Sequence, residues 1–98
     1  MNGRVKIKRG SGNVFLDLGF GRAEAENLRL RSELMRRIDD YFQESGMTQA
    51  AAARTLGLTQ PRLNALLKGR LSEFSLDALV NIASRAGLNV RLVVKKVA

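Results

Sequence analysis

The first long feature of the chain is a run of apolar residues at helical spacing between Ala23 and Ser45. At about 100° per residue these side chains fall within an arc of about 160°, which is typical of a helix with one core-facing side. Gly46 follows, and glycine commonly stands just past a helix end. The pattern therefore predicts a long first helix over residues 23–45. Its apolar positions are Leu28, Leu30, Leu34, Met35, Ile38, Tyr41 and Phe42.

Three shorter helices are predicted after Gly46. Each begins after a hydroxyl residue, whose side chain can accept a hydrogen bond from the first helical turn, and each ends at a glycine. Alanines at positions 50–53 give the first of them a thin profile, so that another helix can pack closely. The predicted spans are 49–56, 60–68 and 76–86, with caps at Thr48, Thr59 and Ser75 and closing glycines at Gly57, Gly69 and Gly87.

Apolar and basic side chains alternate near the C-terminus. Over Asn89–Val97 this alternation predicts a strand with Val90, Leu92 and Val94 on one face. Because a lone strand is unstable, we expect it to pair with its twofold mate in a homodimer or with the short alternating stretch Val5–Lys8. The predicted fold class is mainly α, a bundle of four to five helices with a C-terminal β-strand.

The first 22 residues are rich in glycine, and we predict that residues 1–22 form a flexible N-terminal arm before a domain over residues 23–98. An apolar cluster lies within this arm. Either it packs back on the domain, or it docks on a partner protein. The candidate partner-binding residues are Val14, Phe15, Leu16, Leu18 and Phe20.

Composition limits the chemistry that the chain can perform. Its 98 residues allow one compact domain. It has no histidine and no cysteine, which removes disulfides, thiolate nucleophiles, histidine bases and nearly all zinc sites. We therefore expect a protein that is not an enzyme and that uses no metal or other cofactor. No apolar run approaches the ~18 residues that span a membrane, and no signal-peptide pattern is present, so a cytoplasmic location is expected.

The net charge of +8 is unevenly distributed. From Met47 onward eight basic residues stand against two acidic ones, whereas residues 23–46 contain six acidic and four basic residues. Such a basic half is typical of a protein that binds phosphates. Within it, Thr48–Arg70 has two short helices joined by a glycine-containing turn, which predicts a helix-turn-helix unit. The second helix combines a leucine face with a polar and basic face that suits the major groove of DNA.

Three short motifs mark this unit: a Thr-Gln opening at Thr48, a Leu-Gly-Leu-Thr-Gln turn over residues 56–60, and a Lys-Gly ending at Lys68. With these motifs the segment resembles the Xre/Cro family of prokaryotic and phage repressors. More narrowly, Gly10–Gly19, the Phe-Ser-Leu motif at 74–76 and the closing strand resemble a subgroup that includes HigA-type antitoxins. The resemblance covers about residues 10–94 and implies a lambda-repressor-like bundle.

The resemblance also implies roles for individual residues. A glutamine at the start of a recognition helix can bond adenine through N6 and N7, and residues at helix ends hold phosphates. Asn64 and Leu67 depart from the serine or threonine and the charged residue that many relatives carry there. The implied base-reading residues are Gln60, Pro61, Arg62, Asn64 and Ala65, and the implied phosphate contacts are Gln49, Thr59, Lys68 and Arg70.

The function implied is sequence-specific repression by a homodimer on a palindromic double-stranded DNA operator, with half-sites about one helical turn apart. The narrower resemblance implies the antitoxin of a type II toxin–antitoxin operon, which represses its own operon and neutralises a RelE/HigB-like toxin. The apolar cluster or the acidic face of the long helix would contact that toxin. One alternative is an orphan or phage-type repressor without a toxin. Another is a protein-interaction module that does not bind DNA.

Overall fold

The computed structural model describes residues 12–96, which contain five α-helices, and the last four of these pack around one apolar core. A single 3₁₀ turn, Leu71–Glu73, joins the fourth helix to the fifth. In chain order the helices are α1 Val14–Asp17, α2 Arg22–Ser45, α3 Gln49–Leu56, α4 Gln60–Leu67 and α5 Leu76–Arg85.

The long helix α2 is the support on which the other elements pack. It contacts α1, α4, α5 and the 3₁₀ turn, and its Met35 and Ile38 are buried. The short helices add apolar side chains to the same core and leave their polar faces outside, as amphipathic helices do. The remaining buried core residues are Ala52, Ala53, Leu56, Leu63, Leu66, Phe74, Leu79, Ile82 and Ala83.

All four predicted helices are confirmed, and each bound lies within one residue of the prediction. The predicted caps are also confirmed, because each hydroxyl oxygen accepts a hydrogen bond from a backbone N–H three residues on. Thr48 accepts from Ala51 at 3.1 Å, Thr59 from Arg62 at 3.2 Å and Ser75 from Ala78 at 3.1 Å.

The short helix α1 was not predicted and lies inside the segment expected to be a flexible arm. Asn13 caps it: its Oδ1 accepts from the N–H groups of Phe15 at 3.0 Å and Leu16 at 3.4 Å. The Asn13 amide also donates to the carbonyl of Ala25 at 3.3 Å, which ties α1 to α2. Helix α1 is therefore held against α2, while the expected division into residues 1–22 and 23–98 stays a prediction.

The predicted C-terminal strand is wrong for residues 89–96, which show no strand. A strand requires a neighbour that completes its hydrogen bonds. No backbone hydrogen bond joins residues 89–96 to another part of the described chain, so the apolar–basic alternation has no ladder to join there. The alternative partner stretch, Val5–Lys8, and Val97 lie outside the described residues.

Candidate nucleic-acid interface

The turn between α3 and α4 is built from a glycine in the left-handed region. Gly57 has φ +72°, and its N–H donates to the carbonyl of Arg54 at 3.2 Å. The next N–H, that of Leu58, donates to the carbonyl of Ala53 at 2.8 Å, which satisfies a second carbonyl at the end of α3. A side chain at Gly57 would also approach the Arg85 guanidinium, which lies 2.7 Å from the position of a Cβ. These constraints fix the angle at which α4 leaves the turn.

Helix α4 is anchored on one side and open on the other. Leu63 and Leu66 are fully buried, whereas Gln60, Asn64 and Lys68 are exposed. At about 100° per residue these three polar positions fall within about 80° of the helix surface. Their amide and ammonium groups can donate hydrogen bonds to base edges and phosphates.

The predicted base-reading residues are not all equally exposed. Gln60, Pro61 and Asn64 are exposed, as the prediction requires, but Arg62 and Ala65 are half-buried. Ala65 packs against the apolar core. The base-reading roles themselves stay predictions, and the exposed positions at the start of α4 are the best placed to fulfil them.

The four predicted phosphate contacts lie at the ends of α3 and α4, and all four are exposed. Thr59 uses its oxygen as a cap acceptor, which leaves its hydroxyl hydrogen free to donate. Arg70 approaches Glu73 at 3.7 Å, an exposed ion pair that contributes little energy and can open. Gln49 follows the Thr48 cap, and Lys68 follows the last residue of α4.

Two arginines contact the segment Leu71–Phe74 after α4. Arg62 places its Cζ 4.2 Å from the centre of the Phe74 ring and donates from Nη1 to the carbonyl of Glu73 at 3.1 Å. Arg31 of α2 donates from Nη1 to the carbonyls of Leu71 at 2.8 Å and Phe74 at 3.2 Å.

The sequence analysis did not identify Arg31 as part of this region. A signal was present, because Arg31 lies at heptad spacing between Leu28 and Met35 on the apolar face of α2. A charged residue at such a position has to find a partner. Here the partners are the backbone carbonyls of Leu71 and Phe74, which are 40 and 43 positions along the chain.

Within residues 12–96 no group of three or more acidic side chains is placed to hold a metal ion. No helix in that range is both long and apolar enough to cross a membrane.

The chain is similar to known helix-turn-helix proteins. A family model of helix-turn-helix domains matches residues 14–95. A solved structure provisionally assigned as an XRE-family transcriptional regulator superposes with a TM-score of 0.69 and 29% sequence identity, covering 74% of this chain and 82% of that one. No curated protein sequence matches the chain. The matched range includes both helices of the unit and the turn between them.

Proposed function

The chain belongs to the family of helix-turn-helix domains and is a DNA-binding transcriptional regulator, and from this premise we propose that it is a sequence-specific repressor that binds a palindromic operator as a homodimer. One observation supports the proposal above others. The polar face of α4, formed by Gln60, Asn64 and Lys68, is exposed on a helix whose opposite face is locked into the core. A helix held in this way can enter a major groove without losing its orientation.

Selection of binding sequences from a random duplex pool tests this proposal, followed by footprinting on the DNA upstream of the gene. The expected result is an enriched inverted repeat whose half-sites are about 10 base pairs apart. Affinity should also fall steeply with salt, because each phosphate contact changes the slope of log K against log salt by about 0.9. A pool without enrichment, together with no retarded band at low salt, would favour the protein-interaction module instead.

The homodimer is proposed from the segment after α5. Val90, Leu92 and Val94, the apolar face predicted for this segment, are 44%, 83% and 81% exposed, although a row of apolar side chains is costly to leave in water. Their backbone N–H and C=O groups have no partner within residues 12–96. In the proposed dimer, the same segment of a second copy supplies hydrogen-bond partners for these backbone groups and covers the exposed apolar side chains.

A groove beside this segment supports the same arrangement. It has a volume of about 880 Å³ and lies between α2, α5 and residues 88–93. Leu34, Tyr41 and Val80 are among its apolar lining residues, and its charged lining residues are Glu33, Arg37, Asp40, Glu44 and Arg91. The exposed segment is basic, with Arg91, Lys95 and Lys96. Within residues 12–96 Glu33 and Asp40 pair with arginines of α2 but Glu44 forms no ion pair, so Glu44 can attract this basic segment from a second copy.

We further propose that the chain is the antitoxin of a toxin–antitoxin operon and binds its toxin through α1. Val14 and Leu18 of the apolar cluster are 59% and 69% exposed, so the cluster does not pack back on residues 12–96 as a whole. Phe15 and Phe20 contact each other edge to face at 6.3 Å. With Asn13 tying α1 to α2, these side chains form a fixed apolar surface that suits a partner protein.

The acidic face of α2 is a weaker candidate for the toxin contact. Three of its carboxylates pair with arginines of the same helix: Glu26 with Arg29 at 2.8 Å, Glu33 with Arg37 at 3.7 Å, and Asp40 with Arg36 at 3.8 Å. The hydrogen bond from Arg29 lowers the pKa of Glu26. These internal pairs reduce the attraction that the face offers to a basic toxin.

The toxin proposal is tested by co-purification with the product of the neighbouring gene. Leu18→Asp should abolish co-purification and leave DNA binding unchanged, because α1 lies outside the helix-turn-helix unit. Glu24→Lys, which reverses a charge on α2 and leaves the residues of the apolar cluster unaltered, is the control and should retain the partner. A neighbouring product that never binds the wild-type chain would favour the orphan repressor.

A further inference from the structure

The first turn of α4 carries an arginine that lies away from the exposed face of the helix. Arg62 is two positions after Gln60, which places it about 200° around the helix from that residue and about 40° from the buried Leu66. It is half-buried, unlike Gln60 and Asn64. Its position is therefore at the border of the core and not on the face that suits the groove.

The Arg62 guanidinium is engaged by the protein itself. Its Cζ lies 4.2 Å from the centre of the Phe74 ring, a distance typical of a cation–π contact. Its Nη1 donates to the Glu73 carbonyl at 3.1 Å. Phe74 is 1% exposed and belongs to the core, so it cannot contact DNA.

A second arginine, on α2, donates hydrogen bonds to the same segment. Arg31 of α2 donates to the carbonyls of Leu71 and Phe74, and its Nε donates to Asn27 at 2.6 Å. The segment Leu71–Phe74 is thus linked to α2 by one arginine and to α4 by the other.

We infer that Arg62 is a positioning residue for operator binding: through Phe74 and Glu73 it fixes the orientation of α4, and it reads no base. The inference rests on the proposed repressor function. It replaces the base-reading role that the family resemblance implies for Arg62. Its consequence is that DNA affinity depends on Phe74, a core residue, and that this dependence passes through Arg62.

A double-mutant cycle on the duplex selected from the random pool tests the inference. Arg62→Ala should lower affinity for that duplex about 2- to 30-fold, the range equivalent to a cation–π contact. In the Phe74→Leu background the same change should have a clearly smaller effect, because the ring contact is already lost and only the hydrogen bond to the Glu73 carbonyl remains. Arg62→Lys should not restore affinity, since lysine lacks the planar, multiply donating guanidinium.

Two further measurements on Arg62→Ala separate positioning from direct contact. The preferred base at each operator position should stay the same, and the slope of log K against log salt should stay at the wild-type value. A preference relaxed at one base pair would overturn the inference in favour of base reading. A slope smaller by about 0.9 would overturn it in favour of a phosphate contact.

Separate controls show whether each variant is folded and whether the wild-type chain binds an operator. Circular dichroism at the assay temperature verifies that each variant is helical, and Phe74→Met, whose flexible side chain fills irregular space in a core, replaces Phe74→Leu if that variant unfolds. If the double variant loses DNA affinity by the product of the two single-variant factors, Arg62 and Phe74 act independently. That result contradicts the inference and leaves the operator proposal standing. A wild-type chain that enriches no sequence contradicts the operator proposal itself.

Discussion

Gln60 is the exposed first residue of α4, and recognition helices contact base edges with their N-terminal residues. We expect Gln60→Ala to cost about 1–3 kcal/mol on the selected operator and almost nothing on random duplex, because a bidentate base contact discriminates by that amount. Competition binding with both duplexes measures the difference. Equal affinity of the variant and the wild type for the operator would show that Gln60 reads no base.

Lys68 follows α4 and carries an exposed ammonium group. We expect Lys68→Ala to weaken binding to the operator and to random duplex by the same factor, since phosphates carry no sequence information. The slope of log K against log salt should fall by about 0.9. A variant whose loss is confined to the operator would assign Lys68 to base reading.

At the level of single residues, the sequence was sufficient wherever exposure depends on one helix alone. The periodicity of α4 correctly separates exposed Gln60 and Asn64 from buried Leu63. It also places Arg62 near buried Leu66, at the border of the core, but it does not foresee the partners of the guanidinium, because Phe74 and the Glu73 carbonyl lie 11 to 12 positions away and follow a 3₁₀ turn. Contacts of this kind are set by the packing of elements and have no local signal.

At the level of elements, local chemistry predicted every helix that has a hydroxyl cap and a closing glycine. The missed helix α1 also had a cap signal, Asn13, but its four residues are too few to show a helical period. The C-terminal strand was wrong for residues 89–96 because a strand depends on a neighbour, and alternation along one segment does not provide one.

The turn between α3 and α4 gives a prediction at this level. Gly57→Ala should reduce the free energy of unfolding by about 1–2 kcal/mol, the cost of a left-handed conformation for a residue with a Cβ. Gly46→Ala is the matched control, because Gly46 has the same φ of +72° with no atom within 4 Å of a Cβ. Urea unfolding at one protein concentration measures both.

The difference in the free energy of unfolding between Gly57→Ala and Gly46→Ala depends on whether Arg85 can move. Its guanidinium lies against Gly57, but it is the far end of a flexible side chain and can rotate away. We therefore expect the two alanine variants to be destabilised to a similar degree. A much larger loss for Gly57→Ala would mean that Arg85 is held in place and braces the turn.

At the level of the whole molecule, one helix-turn-helix unit reads only a few base pairs, and a palindromic operator requires two units at a fixed separation. The exposed segment after α5 is the surface from which we propose that pairing. On an extended segment Leu92 shares a face with Val90 and Val94, while Val93 shares the other face with Arg91 and Lys95. One face is therefore entirely apolar and suits burial against a second copy, whereas the other face is mainly basic.

This difference provides a matched pair of variants for the dimer. Leu92→Asp places a charge on the apolar face and should shift the chain from dimer to monomer at micromolar concentration, whereas Val93→Asp, at a neighbouring and similarly exposed position, should leave the dimer intact. Sedimentation velocity measures both, and helical content should not change because both side chains lie outside the core. In the Leu92 variant operator binding should also lose its cooperativity and fall to the affinity of a half-site. A wild-type chain that sediments as a monomer at high micromolar concentration would contradict the dimer, and equal dissociation of the two variants would contradict the assignment of the apolar face.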